Sequence, residues 1–161
     1  MSNLSNLIDT LVDRIEDNIE GWHFDGLEPV GVFRYRLEKD QIAPKFEPAI
    51  VVAPAGNGSG WHQNGSHPYG SNGIAVLVYP GRKDMKAGRF VAAQAFSDET
   101  HRVLMEMPMP FVWPDEDNPI THVLSIRLES GPEPVVVEGT DWPCMSRLYN
   151  VNANTQDAYS Y

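Results

Sequence analysis

The chain is poor in the features that most functions on nucleic acid or membranes require. Its 161 residues hold 12 Lys and Arg against 22 Asp and Glu, a formal charge of −10. A surface of that sign repels phosphate backbones and anionic headgroups, which argues against a protein that reads DNA or adheres to a bilayer. Cysteine is nearly missing. Cys144 stands alone, so an intrachain disulfide and a thiolate metal cage are both excluded, and a reducing compartment fits. No stretch reaches the roughly 20 apolar residues of a membrane span, and no basic region followed by an apolar run marks a signal peptide. The expectation is a chain neither exported by such a peptide nor inserted in a membrane.

Catalytic signatures are missing as well. The five histidines are His23, His62, His67, His101 and His122, and none belongs to a His-Glu-x-x-His pair. A Gly-x-Ser-x-Gly elbow is absent, and Cys144 lies between Pro143 and Met145 in an expected hairpin, where packing is its role. Gly56-Asn57-Gly58-Ser59-Gly60 lacks the Gly-Lys-Ser/Thr ending of a phosphate-cradling loop. The acidic turn Asp115-Glu116-Asp117, between Pro114 and Pro119, lacks the calcium-loop pattern. One enzymatic alternative stays open: His62 and His67, with His23 or Asp25, offer ligand types that zinc accepts, as in a small hydrolase or metal-dependent enzyme. The leading expectation is a protein that is not an enzyme, with no catalytic residue, no cofactor and no metal.

What is present is the composition of one folded domain over residues 1–161, with 42% hydrophobic and 21% charged residues. The first twenty residues carry two opposed stripes. Leu4, Leu7, Ile8, Leu11, Val12, Ile15 and Ile19 recur at helical spacing, while Asp9, Asp13, Glu16, Asp17 and Glu20 repeat on the other side. Acids four apart repel by a few tenths of a kcal/mol per pair, and Arg14 is the only base nearby in the chain. Two readings of this face stay open: a solvated surface, or one turned toward a basic partner or toward a passage in which DNA must not stick.

Alternation predicts strands at Val30–Leu37 and His122–Leu128, the β-branched run Ala49–Ala53 between Pro48 and Pro54 predicts another, Ile74–Tyr79 is apolar throughout and reads as a strand covered on both sides, and Pro134–Glu138 with Met145–Val151 reads as a hairpin. Arg89–Phe96 is read as a strand from its alternating pattern, followed by a short helix that starts at Ser97 and ends before Pro108 and Pro110. The sum is an α+β domain: a mainly antiparallel sheet packed by an N-terminal amphipathic helix and one short second helix. Residues 56–73 read as a long Gly-rich loop, and 152–161 as a polar C-terminal tail that is frayed or ordered against another chain. Trp61, His62 and Tyr69 are the interface anchors such a loop offers. Arg82, Lys83, Lys86 and Arg89 form the notable basic cluster, a solvated turn or a partner for the acidic helix face of an adjacent copy.

The chain resembles the small tail-terminator and head-to-tail joining (neck) proteins of long-tailed bacteriophages. The resemblance rests on the helix Leu4–Glu20, the strand Pro48-Ala49-Ile50-Val51-Val52 and a closing pattern. That pattern runs Leu124-Ser125-Ile126-Arg127-Leu128, then Glu133-Pro134-Val135-Val136-Val137-Glu138-Gly139, Trp142, and Arg147-Leu148-Tyr149. The long Gly-rich loop and the run Met107-Pro108-Met109-Pro110 depart from the shortest members. The resemblance implies a structural virion protein, assembled in the host cytoplasm, that forms a ring, commonly of six copies, on the tail tube. Its partners would be copies of itself and tail-tube, sheath or neck connector proteins, with DNA only as a repelled, passing cargo. Asp9, Asp13, Glu16, Asp17 and Glu20 are then the candidates for a lumen or partner-facing surface.

Overall fold

The computed structural model describes residues 3–24, 26–35, 48–55, 69–80, 90–106, 111–112, 121–136 and 143–155. Helix α1 (Asn3–Glu16) buries Leu7, Ile8, Leu11, Val12 and Ile15 completely or nearly so. It stops four residues short of the expected end at Glu20, and Asn18 shows why. The Asn18 side-chain amide donates to the Arg14 carbonyl at 2.8 Å, while its backbone N–H turns to Ile15. A side chain thus takes the carbonyl that the next helical N–H would have used. Gly21, at φ +84°, then redirects the chain. Ile19 still packs on the core, so the apolar period outlasts the helix.

A six-stranded sheet follows the order β1-β2-β3-β6-β5-β4. Its strands are β1 (Val32–Arg34), β2 (Ala49–Pro54), β3 (Tyr69–Tyr79), β4 (Phe111–Val112), β5 (Thr121–Val136) and β6 (Pro143–Thr155). β1 and β2 run parallel and the other pairs antiparallel. This is the expected α+β architecture. The side facing the helices carries Ile50, Val52, Ile74, Val76, Val78, Met145, Tyr149 and Val151, which join the apolar stripe of α1 in the main core. On the opposite side Ala49, Val51, Ala53, Tyr79 and Cys144 form a smaller buried cluster. β2 is therefore buried on both faces, and its sequence is accordingly an unbroken apolar run instead of an alternation.

The second helix, α2 (Val91–Met105), corrects the reading of Arg89–Phe96 as a strand and of Ser97 as a helix start. Ala92, Ala93, Phe96, Ser97, Thr100, Val103 and Leu104 are buried at helical spacing, so one stripe runs through the whole segment. The two-residue alternation there came from alanines, which satisfy either period. Ser97 lies inside the helix, and Phe90, in the left-handed region at φ 51°, precedes its first residue.

Pairing also corrects three boundaries. β3 begins at Tyr69, so residues 69–73 of the expected Gly-rich loop belong to a strand, paired through Tyr69↔Asn154 to Gly73↔Asn150. The same ladder holds residues 152–154 of the expected tail in β6, and Thr155 pairs with Thr121 of β5. Neither segment has apolar alternation, and each is held by the backbone of the other. The expected strand His122–Leu128 and residues 134–136 of the expected Pro134–Glu138 are parts of the single strand β5, with register shifts at Val123/Ser125, Leu128/Ser130 and Ser130/Glu133, while residues 137–138 lie outside the described residues. Such bulges let a strand continue through the turn-forming residues Ser130-Gly131-Pro132. The hairpin itself is present, with Val136 opposite Pro143.

Candidate functional site

A concavity among the described residues lies where the chain leaves α1. Trp22 N–H donates to the Ile19 carbonyl, and Phe24 and Leu27 exchange backbone hydrogen bonds around Gly26, at φ +78°. This tight turn sets Gly21, Trp22, His23 and Phe24 along one wall of a cleft of about 410 Å³. The facing wall is the first part of α2, with Ala95, Phe96, Asp98 and Glu99. Phe96 is buried and Trp22 packs partly on the main core, whereas Phe24 is exposed. The cleft therefore combines the exposed Phe24 and the partly exposed Trp22 with two acidic residues.

Behind Asp98 sits a polar cluster on the helix-facing side of β6. Arg147 occupies that side between Met145 and Tyr149, and its side chain is 8% exposed. Its guanidinium donates from Nη1 to Ser97 Oγ at 3.1 Å and from Nη2 to Asp98 Oδ1 at 2.6 Å, while the buried Nε has no partner. β5 passes close by: a Cβ on Gly131 would lie 2.4 Å from the Ser146 carbonyl oxygen and 3.3 Å from Arg147 Cγ. One helical turn beyond Ser97, His101 Nδ1 lies 2.9 Å from the Tyr149 hydroxyl, and the two rings stack at 5.8 Å and 25°.

Burial lowers the His101 pKa, Arg147 lowers it further, and Asp98 opposes both. Burial raises that of Tyr149. Between a neutral imidazole and a protonated phenol the hydrogen bond runs in the direction the imidazole tautomer sets, since the Tyr149 hydroxyl can donate to Nδ1 or accept from Nδ1–H. Ser97 is held by Arg147 and His101 by Tyr149, so this serine and histidine, one turn apart, are not joined to each other. What the cluster does is fasten α2 to β6. Cys144 is buried in the second apolar cluster, where burial pushes its thiol up to about 12. At neutral pH it is a packed thiol, as expected, and not a thiolate.

The acidic stripe divides in two. Arg34, on β1, forms ion pairs with Asp9 and, at 3.9 Å, with Asp13. The side chain of Asp9 is 17% exposed and that of Asp13 is 42% exposed. Glu16, Asp17 and Glu20 are exposed. A base that offsets the repulsion on α1 thus comes from a strand. Of the other candidates, Tyr69 opens β3 opposite Asn154. Trp61, His62, His67, Arg82, Lys83, Lys86 and Arg89 lie outside the described residues, as do Asp25 and the acidic turn 115–118. Among the described residues no three His, Cys, Asp or Glu side chains gather as a metal site would require.

Sequence reading missed Arg34, Asp98, Arg147 and the Trp22–Phe24 cleft. A signal for Arg147 existed, because Met145, Arg147, Tyr149 and Val151 share one side of a two-residue period. None existed for the pairing of Arg34 with α1, which depends on the fold. No protein-family model matches the chain, and no curated protein matches it.

Proposed function

We propose that this protein is a noncatalytic virion component, a tail terminator or neck protein that assembles into a ring at the end of a tail tube and joins it to the head. The observation that carries the reading is the outer edge of β5. This strand has 16 residues, and among the described residues β4 pairs only with His122 and Val123. Beyond them Ser125, Arg127, Leu128, Glu129, Pro132, Glu133 and Pro134 are exposed. An edge with unpaired N–H and C=O groups is a template for a strand of a neighbouring molecule. The register shifts divide β5 into short regular stretches, Thr121–Val123, Ser125–Leu128 and Glu133–Val136, which favours short, specific contacts over indefinite sheet growth. Heterologous contacts of this kind close into rings when the rotation between copies allows it.

The exposed acids Glu16, Asp17 and Glu20 support the same reading, since a negative surface lets a phosphate backbone pass without adhering. The test is the mass of the purified protein by mass photometry, alone and with tail tubes, followed by imaging of the assembled particle. A closed ring capping the tube is the expected result, and Leu128→Lys, a charge on the β5 edge, should reduce its yield. A monomer at every concentration, tubes included, overturns the reading.

A further inference from the structure

We propose that, when no tail tube is present, the β5 edge pairs with the same edge of a second copy of this chain, antiparallel about a twofold axis through Leu128. The inference rests on the ring reading for the use of this edge and adds what covers it before a tube is met. An unpaired edge left open in solution invites indiscriminate association. Among the described residues β4 covers it only at His122 and Val123, and Pro132 has no N–H to offer a neighbour. The open part is therefore short, from Ser125 to Gly131.

The side chains along it are self-complementary. Ile126 and Leu128 lie opposite Val151 and Tyr149 of the main core, so both belong to the helix side of the sheet. Leu128 is nevertheless exposed, and so is Met105 of α2, one turn beyond the His101 that stacks on Tyr149. Arg127 and Glu129 share the other side, joined at 2.9 Å, and both are exposed. Each Arg127 bond ends on Glu129 Oε1, which leaves Oε2 to a second donor. A twofold axis perpendicular to the sheet at Leu128 sets Leu128 against Leu128 of the second copy, and each Arg127 against the other copy's Glu129. An axis one residue earlier would set two guanidinium groups against each other. Ser125–Gly131 carries one base and one acid in a chain of net charge −10, so two acidic molecules meet there with little repulsion. The register shift at Leu128/Ser130 bends the strand, which limits the contact to these few pairs and lets a tube-bound neighbour displace it.

The test is sedimentation equilibrium of the protein alone, from micromolar to millimolar concentration. The expected result is a species of twice the 18.0 kDa chain mass. Arg127→Glu and Glu129→Arg each place like charges opposite one another twice, and each should weaken the dimer at least about tenfold. Mixing the two variants restores opposite charges at every position, so a mixed dimer should form with near wild-type strength. Circular dichroism checks that the variants fold, and the substituted side chains are exposed. Leu128→Cys should cross-link to itself on oxidation, because facing Cβ atoms lie about 5 Å apart, and the buried Cys144 does not compete. A monomer up to millimolar concentration, or a dimer that both charge variants leave unchanged, overturns the inference, and rings that still form on tubes then leave the ring reading standing. A dimer with these responses and no ring on any tube upholds the edge pairing and overturns the ring reading.

Discussion

Arg147 and Asp98 meet at 2.6 Å across the boundary of the core, with the arginine side chain 8% exposed and the aspartate 54% exposed. The pair is unequal. Among the described residues the buried guanidinium has as its acceptors one hydroxyl and one carboxylate that is half in water, and its Nε has none. Taking a cation out of water costs several kcal/mol unless its donors are satisfied, so the stability of this region depends on the acceptor more than on the charge. Asp98→Asn should destabilise the fold by about 1–3 kcal/mol, because the buried cation then faces a neutral partner. Arg147→Met, which removes the cation and keeps the stem, should cost less. Urea unfolding of both variants checks the order, and a larger loss for Arg147→Met would contradict the argument.

Arg34 joins β1 to two acids of α1, and the pair with Asp9 is the stronger because Asp9 is mostly covered. Arg34 itself is 47% exposed, so water and salt screen the interaction. Arg34→Ala should cost about 1 kcal/mol, and the loss should shrink as ionic strength rises. A double-mutant cycle with Asp9→Asn measures the coupling directly. No coupling at low salt would mean that α1 tolerates its acids without help.

The parts of the fold legible in the sequence were those where a side chain reports its own environment. Leu7, Ile8, Leu11, Val12 and Ile15 mark the buried stripe of α1, and Ala49–Ala53 mark a strand covered on both faces. Two kinds of feature were not legible. Tyr69–Gly73 is strand because its backbone pairs with Asn150–Asn154, and Asn152–Thr155 because it pairs with β3 and β5, facts that neither sequence carries locally. Arg89–Phe96 was ambiguous because alanine has no side chain long enough to declare a face. The site was dimmer still: Trp22, Asp98 and Arg147 converge from a turn, a helix and a strand, and each alone looks like an ordinary surface or core residue.

Gly131 and Gly21 both have positive φ, at 99° and 84°, yet they should respond differently to alanine. At Gly21 nothing lies within 4 Å of a Cβ, so the cost is backbone conformation alone, about 1 kcal/mol. At Gly131 the Cβ would meet the Ser146 carbonyl at 2.4 Å and the Arg147 Cα at 3.0 Å, both backbone atoms that cannot swing aside. Gly131→Ala should cost at least about 3 kcal/mol and loosen β5 from β6. Thermal unfolding of the two variants separates strain from collision. Equal losses would show that β5 can lift away from Arg147 freely.

His101 gives the fold a dependence on acid whose direction follows from its surroundings. On α2 it faces Asp98 of its own helix, and across the interface it faces Arg147 and Tyr149 of β6. Burial and then Arg147 lower its pKa in the folded protein, against the weaker opposing pull of Asp98. As pH falls through the unfolded-state value of about 6.5, the unfolded chain takes up this proton before the folded one does. Stability should therefore decline from near neutrality downward until the folded pKa is passed, and this group should add no slope above about pH 7.5. Its contribution is fully present at higher pH, as required for a histidine whose folded pKa is depressed. His101→Gln keeps a polar side chain and cannot titrate, so the midpoint of urea unfolding should depend less on pH between about 5 and 7 than in the wild type. An unchanged slope would place the acid sensitivity of the protein elsewhere and leave the His101–Tyr149 contact as packing alone.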